Sequence, residues 1–262
     1  MKSFLMLALS PLLATLAYPS HFLQGSAVPE NASAIIAKAR NYAADYMDRL
    51  PNFLCLQTTT HSTSGRKGEH WRKKDTQTAQ LLFAGGKEKR TLQAVNGKPV
   101  SPGRSRGSRS ELTTEGEFGI LLANILGPDS FAEITWVGFD NLRDHEAAVV
   151  KYSIDREHST LRLSRDYLAS AFVAYYGEVF FDPKTGAVLR ITKQLSEIPP
   201  ELETEKSQTV IDYDKVAIGG ADYLLPSTAY VEMTLRSGRL RNEMSFNGYR
   251  KFEANSTITF QP

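Results

Sequence analysis

Two hydrophobic periods divide the chain. Between residues 31 and 50, Ala34, Ile35, Ala39, Tyr42, Ala43, Tyr46 and Leu50 recur at steps of three and four, the stripe of an amphipathic helix. Asn31 or Ser33 is placed to cap it, and Pro51 to end it. Beyond Pro51 the period falls to two. Strands are predicted over 53–62, 70–84, 87–95, 131–139, 147–155 and 160–164, with turns at 64–68, Gly85-Gly86, Asn96-Gly97 and Asp140-Asn141. Residues 167–174 fit neither period. Toward the end, 209–218 pairs with 221–225 and 230–236 with 239–249 as two further hairpins. In 230–236, Val231, Met233 and Leu235 oppose Glu232, Thr234 and Arg236, so one face of the sheet is expected to be wet.

One hairpin organises the pattern. Residues 175–192, YYGEVFFDPKTGAVLRIT, read as two strands around a turn in which Asp182 bonds its own backbone, Pro183 fixes φ and Gly186 supplies a positive φ. After the turn, Ala187, Leu189 and Ile191 are predicted on one face and Val188, Arg190 and Thr192 on the other. Two stretches break the strand pattern. Glu117 to Leu126 is apolar on most sides and short, a helix stopped by Gly127-Pro128 and expected to lie against the sheet. The adjacent prolines at Pro199-Pro200 must leave the sheet, because proline cannot serve a central strand. The fold class is therefore α+β, mainly antiparallel β, a curved sheet or half-barrel with an N-terminal helix and a short apolar helix packed on it.

Composition changes the picture at the N-terminus. Lys2 followed by the apolar run Phe4 to Leu16 has the form of an export signal, with small residues for cleavage after Ala17 or Ala27. Residues 1–27 are read as a signal peptide and 28–262 as a single β-rich domain. No later run approaches the ~18 apolar residues that span a bilayer, so the exported chain is expected to be soluble, in the periplasm or outside. Cys55, the only cysteine, lies too far from the signal to carry a lipid anchor, which argues against a lipoprotein, and it has no intramolecular partner for a disulfide. Among Phe53, Leu54 and Leu56 it reads as a buried thiol.

Catalytic patterns fail on context. Gly103-Arg104-Ser105-Arg106-Gly107 has nucleophile-elbow spacing, but a basic Gly/Ser/Pro-rich stretch at 101–116 replaces the strand and helix that the motif requires. His21, His61, His70, His145 and His158 include no i, i+4 pair, and no phosphate-cradling or dinucleotide glycine loop occurs. No enzyme activity, cofactor or metal is expected.

Charge is asymmetric although the total is only +2. Between residues 61 and 110, twelve basic residues, among them Arg72, Lys74, Arg104, Arg106 and Arg109, meet only Glu69, Asp75 and Glu88. Either these lysines and arginines form a solvated face that guards edge strands, or they contact an anionic envelope component. Nucleic acid is not the expected partner, since no recognition module is present. Large apolar side chains leave a parallel choice. Trp71, Phe83, Phe118, Leu122, Trp136, Tyr175, Phe181, Met233 and Met244 either fill a core or line a cavity for an apolar ligand on the concave side of the sheet.

The hairpin Gly177 to Arg190, GEVFFDPKTGAVLR, with Ile218-Gly219-Gly220 and Tyr223-Leu224-Leu225-Pro226 after it, resembles the periplasmic lipoprotein carrier and outer-membrane lipoprotein-sorting (LolA-like) proteins. The resemblance covers residues 30–262 and implies a half-barrel sheet closed on one side by helices. It also implies an exported, non-enzymatic protein that binds a lipid, an acyl chain or a lipidated partner in the cell envelope. The alternative is an envelope interaction or sensor domain that uses the basic face to bind an anionic polymer or protein.

Overall fold

The structure, a computed structural model, describes residues 30–100, 118–165 and 168–252. Helix α1 (Ala32–Arg49) forms where the three-to-four spacing predicts it and buries Ala32, Ile35, Ala39, Ala43 and Tyr46 on one side, leaving Ala34 exposed. Asn31 occupies the cap position, but its side chain makes no capping bond. At the other end Leu50 is already extended ahead of Pro51, as a residue before proline must be.

Among the described residues, thirteen strands follow. They are β1 (Phe53–Ser64), β2 (Arg72–Ala84), β3 (Lys87–Val95), β4 (Lys98–Pro99), β5 (Glu133–Leu142), β6 (His145–Ile154) and β7 (Arg162–Arg165). The rest are β8 (Ala169–Phe172), β9 (Ala174–Phe181), β10 (Val188–Ser196), β11 (Thr204–Ile218), β12 (Ala221–Leu235) and β13 (Gly238–Lys251). Eleven make one curved, open antiparallel sheet in the order β4-β3-β2-β1-β13-β12-β11-β10-β9-β6-β5. Most neighbours are sequence neighbours, as in a meander. Two joins are not. The first strand pairs with the last, from Phe53↔Lys251 to Ser64↔Arg239, and β6 pairs with β9 across the separate hairpin β7-β8.

The short helix α2 (Ile120–Leu126) begins later than its apolar run suggests, because Phe118 and Gly119 make the approach to α1. At Gly119, φ is +127° and a Cβ would lie 2.3 Å from the Met47 sulfur, so only glycine fits there. Phe118, 1% exposed, packs its ring 5.4 Å from Phe53 and edge-on to Phe246 at 5.5 Å. Phe53 in turn stacks on Phe83 at 5.1 Å, and each such pair adds about 1 kcal/mol beyond the area it buries. Both helices therefore sit over the same face of the sheet.

Three sequence expectations are corrected, and one open stretch is resolved. The Asp140-Asn141 turn falls instead at Arg143 and Asp144, whose φ values of 51° and 65° fit a two-residue type I′ connection between Leu142 and His145. Arg143 is held there by Asp214 at 2.7 Å and by the Tyr213 carbonyl at 3.0 Å. The alternation after the organising turn also breaks. A bulge between Val188 and Arg190 makes Val188 and Ile191 the buried residues and leaves Leu189 half-buried. Residues 221–225 and 230–236 do not belong to separate hairpins, because β12 runs unbroken through Pro226. Proline is tolerated there because β13 pairs with β12 only from Thr228, so this part of β12 has β11 alone as neighbour. Finally, the ambiguous stretch contributes β8.

The Pro199-Pro200 segment leaves the sheet as a 3-10 turn over Pro200–Leu202, as expected. The division of Val231 and Met233 from Glu232 and Thr234 into buried and half-exposed faces also holds, but Leu235 at the strand end is half-buried like Glu232 and Thr234. Among the described residues, no helix is long and apolar enough to cross a membrane.

Candidate functional site at helix α2

Two pockets flank α2. The first, about 420 Å³, is lined by Ile120, Leu121 and Asn124 of the helix, by Thr160, Leu161 and Arg162, by Tyr175 of β9 and by Lys193 of β10. The second, about 270 Å³, lies beyond the helix end between Ala123, Asn124, Gly127, Pro128 and Asp129 on one side and Phe131, Ile154, His158, Thr160 and Tyr175 on the other. They share Asn124, Thr160 and Tyr175. Together they run under and around a single short helix.

The local sequence explains the opening. Seven residues of α2 provide less than two turns of cover, and Gly127 permits an abrupt exit, since a Cβ there would lie 2.3 Å from the Ala123 carbonyl. Ser130 secures the exit by donating to the carbonyls of Asn124 and Ile125, both at 2.7 Å. The chain beyond then presents Phe131, 66% exposed, while Ile120 at the other end of the helix is 50% exposed. Large apolar side chains at such exposure rim the cleft rather than fill a core.

At the junction the chemistry is neutral and polar. Asn124 donates to the Thr160 hydroxyl at 3.1 Å and also bonds the Tyr175 hydroxyl, which burial pushes up to about 12. That phenol stays protonated at any physiological pH. In the second pocket Phe131 stacks on the His158 ring at 4.5 Å, and Asp155 bonds the same imidazole at 2.9 Å. The His158 bond holds the Asp155 carboxyl below its ordinary range.

A third pocket of about 490 Å³ crosses β5, β6, β9 and β10, with Glu133, Lys151, Glu178 and Gln194 in its wall beside Tyr152, Tyr176 and Gly177.

The residues singled out from sequence separate into groups. Phe83, Phe118, Leu122, Tyr175, Phe181 and Met244 join one buried cluster, and Trp136 packs against its margin. Of these, Tyr175 alone lines the pockets at α2. Met233 is buried at 7% beside Thr204, and Trp71 lies under the Arg241 guanidinium at 3.7 Å, away from that cluster. Arg72 and Lys74 are exposed at the start of β2. Arg104, Arg106, Arg109, Ser105 and the signal segment lie outside the described residues. Sequence reasoning missed Ile120, Thr160, Leu161, Arg162 and Lys193, which approach one another only through the β6–β9 crossover. Cys55 is a buried thiol as expected, and burial pushes it up to about 12 despite a bond with Tyr249. Among the described residues, no cluster of His, Cys, Asp and Glu is arranged to hold a metal ion.

No protein-family model matches the chain, and no curated protein matches it. Solved structures do. A LolA superfamily protein from Nitrosomonas europaea is 11% identical with a TM-score of 0.40, covering 86% of this chain and 94% of that one. A DUF1329 family protein from Desulfovibrio piger is 10% identical at TM-score 0.40, covering 87% and 96%. A domain assigned as an outer-membrane lipoprotein-sorting protein from Vibrio parahaemolyticus is 10% identical at TM-score 0.40, covering 82% and 90%.

Proposed function

We propose that this chain is an exported, non-enzymatic binding protein of the cell envelope that lodges a lipid, an acyl chain or the lipid of a modified protein between its sheet and α2. The observation that carries the reading is the pair of pockets that flank α2 and meet at Tyr175, with Ile120 and Phe131 exposed at the rims. Leu121, Leu161 and Ile154 give the cleft apolar walls. Each methylene buried there contributes about 0.8 kcal/mol, so a chain binds usefully without a precise set of polar contacts. On this reading Phe118, Leu122 and Tyr175 back the cleft, Phe83, Phe181 and Met244 form the packed layer that shapes it, and Met233 lies outside that layer. The protein's action is capture and release, with no bond made or broken.

The test is native mass spectrometry of the mature chain purified from its own envelope, with organic extraction and titration of a fluorescent fatty acid. A stoichiometric lipid, or saturable uptake of the probe that persists in high salt, is the expected result. A ligand-free protein that also ignores the probe would remove the proposal.

A further inference from the structure

We infer, resting on the acyl-chain reading above, that the ligand of the α2 cleft carries an anionic head, and that Arg162 receives it at the mouth of the first pocket. The wall of that pocket contributes two cations, Arg162 and Lys193, and no carboxylate. Its floor is Leu121, Leu161 and Tyr175. A cationic mouth over an apolar floor matches an amphiphile whose head is a carboxylate or a phosphate, and it disfavours a neutral or cationic head.

Arg162 is positioned rather than loose. Its Nε and one terminal nitrogen both donate to the Ser170 hydroxyl, at 3.1 and 2.6 Å, across the β7-β8 hairpin. A hydroxyl fixes the guanidinium plane without neutralising it, and the remaining donors suit a planar or tetrahedral oxyanion. The residue directly across the strand pair is Phe172, 51% exposed, and Leu168 at the hairpin turn is 76% exposed. Cation and apolar surface thus alternate where a head would meet its chain. Acidic groups nearby have other positions: Asp129 lines the second pocket, and Asp155 is bonded to His158.

The experiment is calorimetric titration of the full-length mature chain with sub-micellar oleate, oleyl alcohol, hexadecyl phosphate and inorganic phosphate. Wild type is compared with R162Q, R162K and K193Q. Oleate is expected to bind about fivefold more tightly than oleyl alcohol, the scale of one partly exposed ion pair, with the gap narrowing in added salt. R162Q should close the gap by weakening oleate more than oleyl alcohol, R162K should keep most of it, and K193Q should reduce it without touching the Ser170 bond. Comparison of oleate with hexadecyl phosphate then identifies which head the arginine prefers. Equal affinities for oleate and oleyl alcohol, or a gap that survives both R162Q and K193Q, would overturn the anionic head and leave the chain site standing. Inorganic phosphate binding as tightly as hexadecyl phosphate would overturn it in favour of a plain anion site. Failure of both oleate and oleyl alcohol to bind is the failure of the acyl-chain reading itself.

Discussion

The hydroxyl of Tyr152 on β6 donates to the carbonyl of Thr192 on β10 at 2.8 Å, reaching across the whole width of β9. It passes over Gly177, where a Cβ would lie 2.0 Å from the Thr192 oxygen and 3.1 Å from the Tyr152 ring. Regular β9–β10 pairing lapses between Val179↔Ile191 and Tyr176↔Gln194, and the Glu178 amide turns to the Thr192 hydroxyl at 2.9 Å instead. One tyrosine thus closes a gap in the ladder next to the strand that carries Tyr175.

Substituting Gly177 should accordingly be costly. Gly177→Ala must move the β10 backbone at Thr192 and crowds the Tyr152 ring as well, and the expected loss is about 1–3 kcal/mol, the range for overpacking a well-filled interior. Tyr152→Phe removes only the hydroxyl and should cost ~1 kcal/mol. Urea denaturation of both variants checks the ranking, and a Gly177→Ala protein as stable as wild type would contradict the close approach.

The same device recurs where β12 and β13 separate. Tyr46 of α1 donates to the Leu224 carbonyl at 2.8 Å and Tyr249 to the Pro226 carbonyl at 2.5 Å, filling positions that β13 leaves unpaired. Burial raises both phenols well above their ordinary value of 10.0, and burial pushes Cys55, ordinarily 9.0, up to about 12. A group whose folded value is raised contributes stability that is complete below its unfolded value and is lost as pH rises above it. Stability should therefore be insensitive to these groups at neutral pH and fall from about pH 9 upward, by up to ~1.4 kcal/mol per pH unit for each group. Denaturant midpoints measured from pH 7 to 11 test this. Tyr249→Phe should be less stable at pH 7 and show a shallower alkaline decline, whereas an unchanged slope would remove Tyr249 from the cause.

At the organising hairpin, Gly186 lies against α1 so closely that a Cβ would come within 2.3 Å of the Lys38 carbonyl carbon, and its φ is +78°. Gly186→Ala thus meets a clash and a strained backbone together, with an expected loss of about 2–3 kcal/mol. The turn has its own support, since one oxygen of Asp182 accepts from the amides of Lys184 at 2.7 Å and Thr185 at 2.8 Å. Burial works to raise the Asp182 carboxyl, but those amide bonds outweigh it and hold the group below its ordinary range. Asp182→Ala should cost about 1 kcal/mol at pH 7. Because the folded value is lowered, that difference is present above ~pH 4 and fades as pH falls below it. Thermal melts at pH 7 and pH 3 provide the comparison.

Much of this fold is legible from local signals. Strand period, the glycine-marked turns and the α1 stripe follow from short stretches, because each depends on neighbours within a few residues. Local pattern divides residues 221–225 from 230–236, whereas β12 runs through Pro226, because whether a strand tolerates proline depends on how far its partner stays paired, and the point at which β13 leaves β12 has no local signal. The α2 site was legible only in part. Tyr175 belongs to a visible hairpin, but Arg162 lies on the β7-β8 hairpin inserted between β6 and β9, and no local period encodes its approach to the pocket.

Thr160 is the residue through which the proposed cleft is most directly blocked. It is exposed, lines both pockets, and contributes only its hydroxyl, which accepts from Asn124 at 3.1 Å. Thr160→Trp introduces an indole at the junction without entering the buried cluster, so the fold should lose no more than about 1 kcal/mol. The bulk should occupy the path that an alkyl chain needs on either side of α2, and a chain denied even four methylenes loses about 3 kcal/mol, more than a hundredfold in affinity. Thr160→Ser keeps the Asn124 bond and the open junction, and it should bind the fluorescent fatty acid as wild type does. Side-by-side titrations read the outcome. If the tryptophan variant folds and still takes up the probe with wild-type affinity, the chain does not lie along α2.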